Sequence, residues 1–114
     1  MESKTVLRQL KIKTGILQRN VKDYHSYNKE KVKLEEKLEK LTNEQAEEGI
    51  LTRANFEVAE TAQMLPNTIT RVKAALEDLK SVMDTCDSEE LKSSEEFEAA
   101  NQACLTVEQW LTTV

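Results

Sequence analysis

Few side chains in this chain could carry covalent chemistry, and their spacing argues against it. Cys86 and Cys104 are the two thiols and His25 is the one imidazole among 114 residues. A metal centre needs several such groups within a few ångströms, and a nucleophile needs a base beside it. His25 has no cysteine, aspartate or second histidine one helical turn away, so a solvated or seam-flanking histidine is expected. Both thiols fall on apolar stripes, the place of small core hydrophobes. In a helical hairpin Cys86 lies at the turn end, while Cys104 is some ten residues into the next helix. That puts them well beyond the ~7 Å that a disulfide tolerates. No glycine-rich loop is built to cradle a phosphate, and glutamates spread over helix faces without a pocket form no acid–base pair. Neither an enzyme nor a cofactor is expected.

The chemistry that remains is noncovalent, and it concentrates near the N-terminus. From Ser3 to Lys22 there is no acidic residue. Residues 1–40 hold eleven Lys/Arg and six Asp/Glu, a balance of +5, whereas residues 41–114 hold five and fifteen, a balance of −10. Within the basic stretch Ile12 and Ile16 sit four apart among Arg8, Lys11, Lys13, Arg19 and Lys22. Apolar residues rimmed by cations suit an acidic protein partner, the first giving affinity and the second steering approach. Two structural alternatives stand beside that reading. The basic helix could lie against acidic helices of the same bundle, and a third helix or a broad core could cover both isoleucines. The acidic faces of the second and third helices form a rival surface. A net charge of −5 and no aromatic residues interleaved with the basic ones argue against nucleic acid. No apolar run approaches eighteen residues and no leader or lipidation signal is recognisable, so a soluble, intracellular chain with no membrane partner is expected.

Long helices must position these residues. Two glycines, one proline, 4% aromatics and 32% charged residues describe helices rather than sheets. From about residue 4 to 42, steps of three and four link Leu7, Leu10, Thr14, Leu17, Val21 and Tyr24. The stripe then moves by one position and continues as Tyr27, Lys31, Leu34, Leu38 and Leu41. Ser3 is a candidate cap. Such a helix would be roughly 60 Å long and cannot bury its stripe alone. Asn43 and Gly49 mark a turn across 42–49. A second stripe runs Leu51, Asn55, Val58, Ala62, Leu65, Ile69, Val72, Leu76, Leu79, Met83 and Cys86, over a helix of about 50–86. Pro66 lies inside it. The stripe resumes in phase at Ile69, so a kink rather than an end is expected there. Lys73–Glu77 and Lys80–Asp84 are pairs on the solvated face. After an acidic, serine-rich turn (87–94), a third helix of about 93–113 carries Phe97, Ala100, Cys104, Val107, Leu111 and Val114, with Trp110 beside the stripe. Ser93 with Glu96 is a capping-box pattern, and Asp87 with Glu90 an earlier one. The fold class expected is all-α: one domain over 1–114, an elongated three-helix up-down-up antiparallel bundle with coiled-coil-like packing, its second helix kinked at Pro66.

The residues themselves then become specific. Arg8-Gln9-Leu10-Lys11-Ile12-Lys13-Thr14-Gly15, continued by Arg19, Val21-Lys22 and Tyr27, resembles the first helix of the tubulin-specific chaperone A (tubulin-binding cofactor A) family. Met64-Leu65-Pro66, followed by Arg71, Ala74-Ala75-Leu76 and Asp78-Leu79, resembles that family's proline-kinked second helix. The third helix keeps only an acidic start and a heptad stripe, and the 43–49 loop lacks a Tyr-Asp entry seen in many members. The resemblance implies a non-enzymatic, cytoplasmic protein that holds quasi-native β-tubulin after chaperonin release and passes it toward the αβ heterodimer. Its implied partners are β-tubulin and other tubulin-folding cofactors, as monomer or homodimer. A generic coiled-coil scaffold without tubulin specificity is the alternative. Arg8, Lys11, Ile12, Lys13, Ile16, Arg19 and Lys22 are the partner-binding residues that the sequence offers.

Overall fold

A computed structural model describes residues 2–114. Among them are four helices and no strand: α1 (Ser3–Asn43), α2 (Glu48–Asp84), α3 (Glu89–Lys92) and α4 (Glu95–Leu111). The three long helices expected from the stripes are α1, α2 and α4. The single turn α3 lies inside the stretch expected to be only a turn.

Several ends fall differently from the sequence expectation, for local hydrogen-bonding reasons. Ser3 is already helical, and the Glu2 carbonyl accepts the Val6 amide at 3.1 Å. The capping place therefore lies one residue before Ser3. At the other end of α1, Gln45 takes the left-handed conformation (φ 56°), not Asn43 or Gly49. The Gln45 amide donates to the Thr42 carbonyl at 3.1 Å and the Ala46 amide to the Leu41 carbonyl at 3.0 Å. These two bonds are the Schellman pair that closes a helix C-terminus. Gly49 belongs to α2. In the second turn Ser88 caps α3, accepting from the Leu91 amide, and Ser94 caps α4, accepting from the Phe97 amide at 3.1 Å. Ser93 does not cap α4; its hydroxyl donates back to the Glu89 carbonyl at 2.7 Å.

The chain divides into two compact units, the chain up to Val21 with Thr70–Val114, and Lys22–Ile69. The first unit holds the hydrophobic core cluster. Leu10 and Leu17 of α1, Val72 and Leu79 of α2 and Ala100 of α4 are wholly buried. Burial of a leucine or valine side chain is worth ~1.5–3 kcal/mol, so these residues fix the register of all three helices. Val6, Ala75, Leu91 and Ala103 join the same cluster from beside the expected stripes. The core is thus wider than a strict heptad seam. Val114, expected to end the third stripe, is exposed because α4 stops at Leu111. Trp110 packs against the cluster. Buried Thr14 donates its hydroxyl to the Leu10 carbonyl at 2.6 Å, which removes the cost of a polar atom in the core. At the margins, Lys13 lies 4.0 Å from Asp78. Lys80 reaches Glu108 of α4 at 2.7 Å rather than Asp84 on its own helix.

The second unit is two helix segments and their turn. Its stripe residues Tyr27, Leu34, Leu38, Leu41, Leu51, Val58 and Leu65 are half-buried, as two helices without a third can provide. Ala54 is buried here, whereas Asn55, expected on the stripe, is exposed and donates to the Leu51 carbonyl. Helix α2 continues without a break through Pro66. Two residues on, Thr68 is completely buried, and its hydroxyl donates to the Met64 carbonyl at 2.7 Å.

Candidate functional site

The α1 segment of the first unit presents the basic, apolar face. Ile12 is 49% and Ile16 37% exposed, so neither a third helix nor a broad core covers them. Arg8, Ile12, Ile16 and Arg19 follow one another at steps of four, four and three, which places them along one strip of the helix. Arg8, Lys11 and Arg19 are exposed. Lys13 is not on that strip. It sits nearer the core edge, half-buried and turned toward Asp78 of α2. The basic helix therefore does lean on an acidic neighbour there, but through Lys13 alone of these cations. Lys22 is exposed and falls in the second unit.

Beside the strip a cleft of about 620 Å³ opens between α1 and α4. Lys11, Thr14, Gly15 and Gln18 form one wall, and Glu95, Glu96 and Ala99 the other. No other backbone approaches Gly15: a β-carbon built there would meet no atom within 4 Å. Gly15 lines open space. A second hollow of about 390 Å³ shares Gln18 and Ala99 with the first and continues along Val21, Gln102, Ala103 and Thr106. Periodicity could not reveal this groove, since it depends on where α4 sits beside α1.

In the second unit Glu30 of α1 and Glu57 and Glu60 of α2 surround Leu34 and Thr61 in a hollow of about 190 Å³. Arg53 lies 3.5 Å from Glu57. His25 is exposed and meets Tyr24 edge-on, ring centres 5.8 Å apart. Cys86 and Cys104 are buried free thiols. Burial pushes both above their ordinary value, and for Cys104 the Glu108 carboxylate adds to the effect. A thiol held protonated is a poor nucleophile. Among the described residues no three of His, Cys, Asp or Glu converge to hold a metal ion, and no helix is long and apolar enough to cross a membrane.

The family described as tubulin binding cofactor A matches residues 5–104 of this chain. The chain belongs to that family. Tubulin-specific chaperone A of Rattus norvegicus is 34% identical over 94 residues, covering 82% of this chain and 85% of the relative. Tubulin-folding cofactor A of Arabidopsis thaliana is 32% identical over 107 residues, covering 94% and 95%. The crystal structure of the Arabidopsis thaliana cofactor superposes with a TM-score of 0.81 at 33% identity, over 92% of this chain and 97% of that one. The human tubulin chaperone cofactor A structure gives 0.73 at 32% identity, over 90% and 98%. In this member of the tubulin binding cofactor A family, the matched span includes the whole Arg8–Arg19 strip and Ala99, and it ends before Thr106.

Proposed function

We propose that this chain is a tubulin-folding cofactor that captures quasi-native β-tubulin after chaperonin release and hands it on toward the αβ heterodimer. Family membership over residues 5–104 is the observation that carries the proposal. The role is stoichiometric, cytoplasmic and cytoskeleton-linked rather than catalytic, with other tubulin-folding cofactors as further partners. The strip Arg8, Ile12, Ile16 and Arg19, with Lys11 beside it, is the contact face. Two exposed isoleucines among cations would meet an apolar patch on an acidic protein. Lys13 contributes less, being turned to Asp78, and Lys22 extends the positive field.

The same reading takes residues 1–114 as one domain, an up-down-up bundle of α1, α2 and α4. Lys13 beside Asp78, and Lys80 bonded to Glu108, support that order of neighbours. A bend at Pro66 follows from the missing amide, which leaves the carbonyl of Ala62 without its usual helical donor.

A pull-down with purified α- and β-tubulin, with the mass of the captured species measured by light scattering, tests the function. Selective capture of β-tubulin is expected. An elongated self-assembly indifferent to both subunits would instead mark a generic coiled-coil scaffold. On the contact face, Ile12→Ser, or Lys11→Glu with Arg19→Glu, should weaken capture about tenfold, equivalent to ~1.4 kcal/mol. The melting temperature should stay within a degree or two, because these side chains are outside the core. Wild-type capture by both variants would remove this face from the proposal.

A further inference from the structure

The groove between α1 and α4 has the shape of a vacant helix berth. In helix-on-helix packing, each inserted side chain enters a hole formed by four residues at positions i, i+3, i+4 and i+7 of the facing helix. Lys11, Thr14, Gly15 and Gln18, which line the first hollow, have that spacing on α1. Ala99, Gln102, Ala103 and Thr106, which line the second, have it on α4. The floors are small and buried, Thr14 in one hole and Ala103 in the other, while Lys11, Gln18, Gln102 and Thr106 stand exposed at the rims. The two hollows share Gln18 and Ala99, so they follow one another along one groove. Nothing within 4 Å of the Gly15 β-position obstructs an incoming side chain.

Charge says what kind of helix would fit. The α1 wall is cationic, with Lys11 at the rim and Arg8 one turn before it. The α4 wall is anionic, with Glu95 and Glu96 in its first turn. An occupant must carry acidic residues on the flank that meets α1 and basic residues on the flank that meets α4. Its apolar stripe, repeating at three and four, would point inward.

We infer that the α1–α4 groove receives one amphipathic helix of the client, acidic on one flank and basic on the other, completing a local four-helix arrangement. This inference rests on the proposed capture of β-tubulin and adds which element of the client is gripped and where. The adjoining Ile12 and Ile16 would then lie beside the seated helix and extend its contact.

Filling a hole tests it. Gly15→Leu places a side chain in open space and replaces a poor helix former with a good one, so its melting temperature should match or exceed the wild-type value. Capture of purified β-tubulin should fall at least tenfold, with Gly15→Ala showing a smaller loss. A photo-crosslinking residue at position 102 should attach to a single helix-forming segment of β-tubulin, and Gly15→Leu should abolish that crosslink. If Gly15→Leu captures β-tubulin like the wild type while Ile12→Ser does not, the groove is overturned and the contact face survives. If the wild-type chain captures no β-tubulin, the function itself fails and the groove's stated occupant fails with it. If the position-102 crosslink instead joins two copies of this chain, and light scattering shows a dimer that Gly15→Leu dissolves, the occupant is a second copy and the inference is overturned.

Discussion

At the scale of single residues, the chain tolerates one local cost that its composition could have avoided. Gln45 adopts φ 56° to close the end of α1, a conformation that costs a non-glycine residue ~1–2 kcal/mol. Glycine is freer there but loses more entropy on folding, by roughly 0.5–1 kcal/mol. Gln45→Gly should therefore stabilise the protein by about 0.5–1 kcal/mol in urea titration, leaving the Ala46–Leu41 hydrogen bond in place. Unchanged or reduced stability would mean the left-handed turn is not kept in solution. The sequence signalled a turn through Asn43 and Gly49, but neither takes the strained position. Which residue becomes left-handed depends on where the last helical hydrogen bond falls, and composition does not set that.

At the scale of elements, the stripes predicted three long helices well because a period near 3.6 is visible wherever one face is buried. Their ends were less legible. Ser93 with Glu96 has the letters of a capping box, yet Ser94 accepts the Phe97 amide, and Ser93 closes the short α3 instead. Three serines and several carboxylates offer nearly equivalent starts, and the burial of Leu91 and Ala100 settles the choice. Ser94→Ala should thus cost about 1 kcal/mol, measured by thermal unfolding, whereas Ser93→Ala should cost appreciably less. Equal losses from both would refute this division of roles. Along α2, Ala54 took the place expected for Asn55, and Thr68 became fully buried beside Ile69. A stripe of apolar letters marks a face to within one position, and packing then selects the small residue that fits.

At the scale of the whole molecule, ion pairs and buried thiols set how stability responds to alkali. Burial raises Cys86 and Cys104 above their ordinary value of 9.0, and the hydrogen bond to Glu108 raises Lys80 above 10.5. In each case the folded chain holds its proton more tightly than the unfolded chain. Stability is then fully present below the ordinary values and declines as pH rises through the raised ones. Melting temperature should be level from pH 7 to about 9 and fall above it. Cys104→Ala should flatten the first part of the fall, and Lys80→Met the later part. A curve that rises with pH above 9 would contradict these assignments. Because Lys80 is solvated, its share should also shrink in high salt.

By itself the sequence determined that the chain is helical, where its apolar faces run, and that its N-terminal helix carries two isoleucines among cations. It also carried the family likeness, since Arg8–Gly15 and the Pro66 segment are strings of residues rather than arrangements in space. Only the tertiary structure decided that Lys13 turns to Asp78, that Lys80 reaches Glu108, and that Gly15 and Ala99 line a common groove. Periodicity within one helix fixes which residues share a face. It carries no information on which other helix that face meets, because that depends on packing between segments distant in the chain.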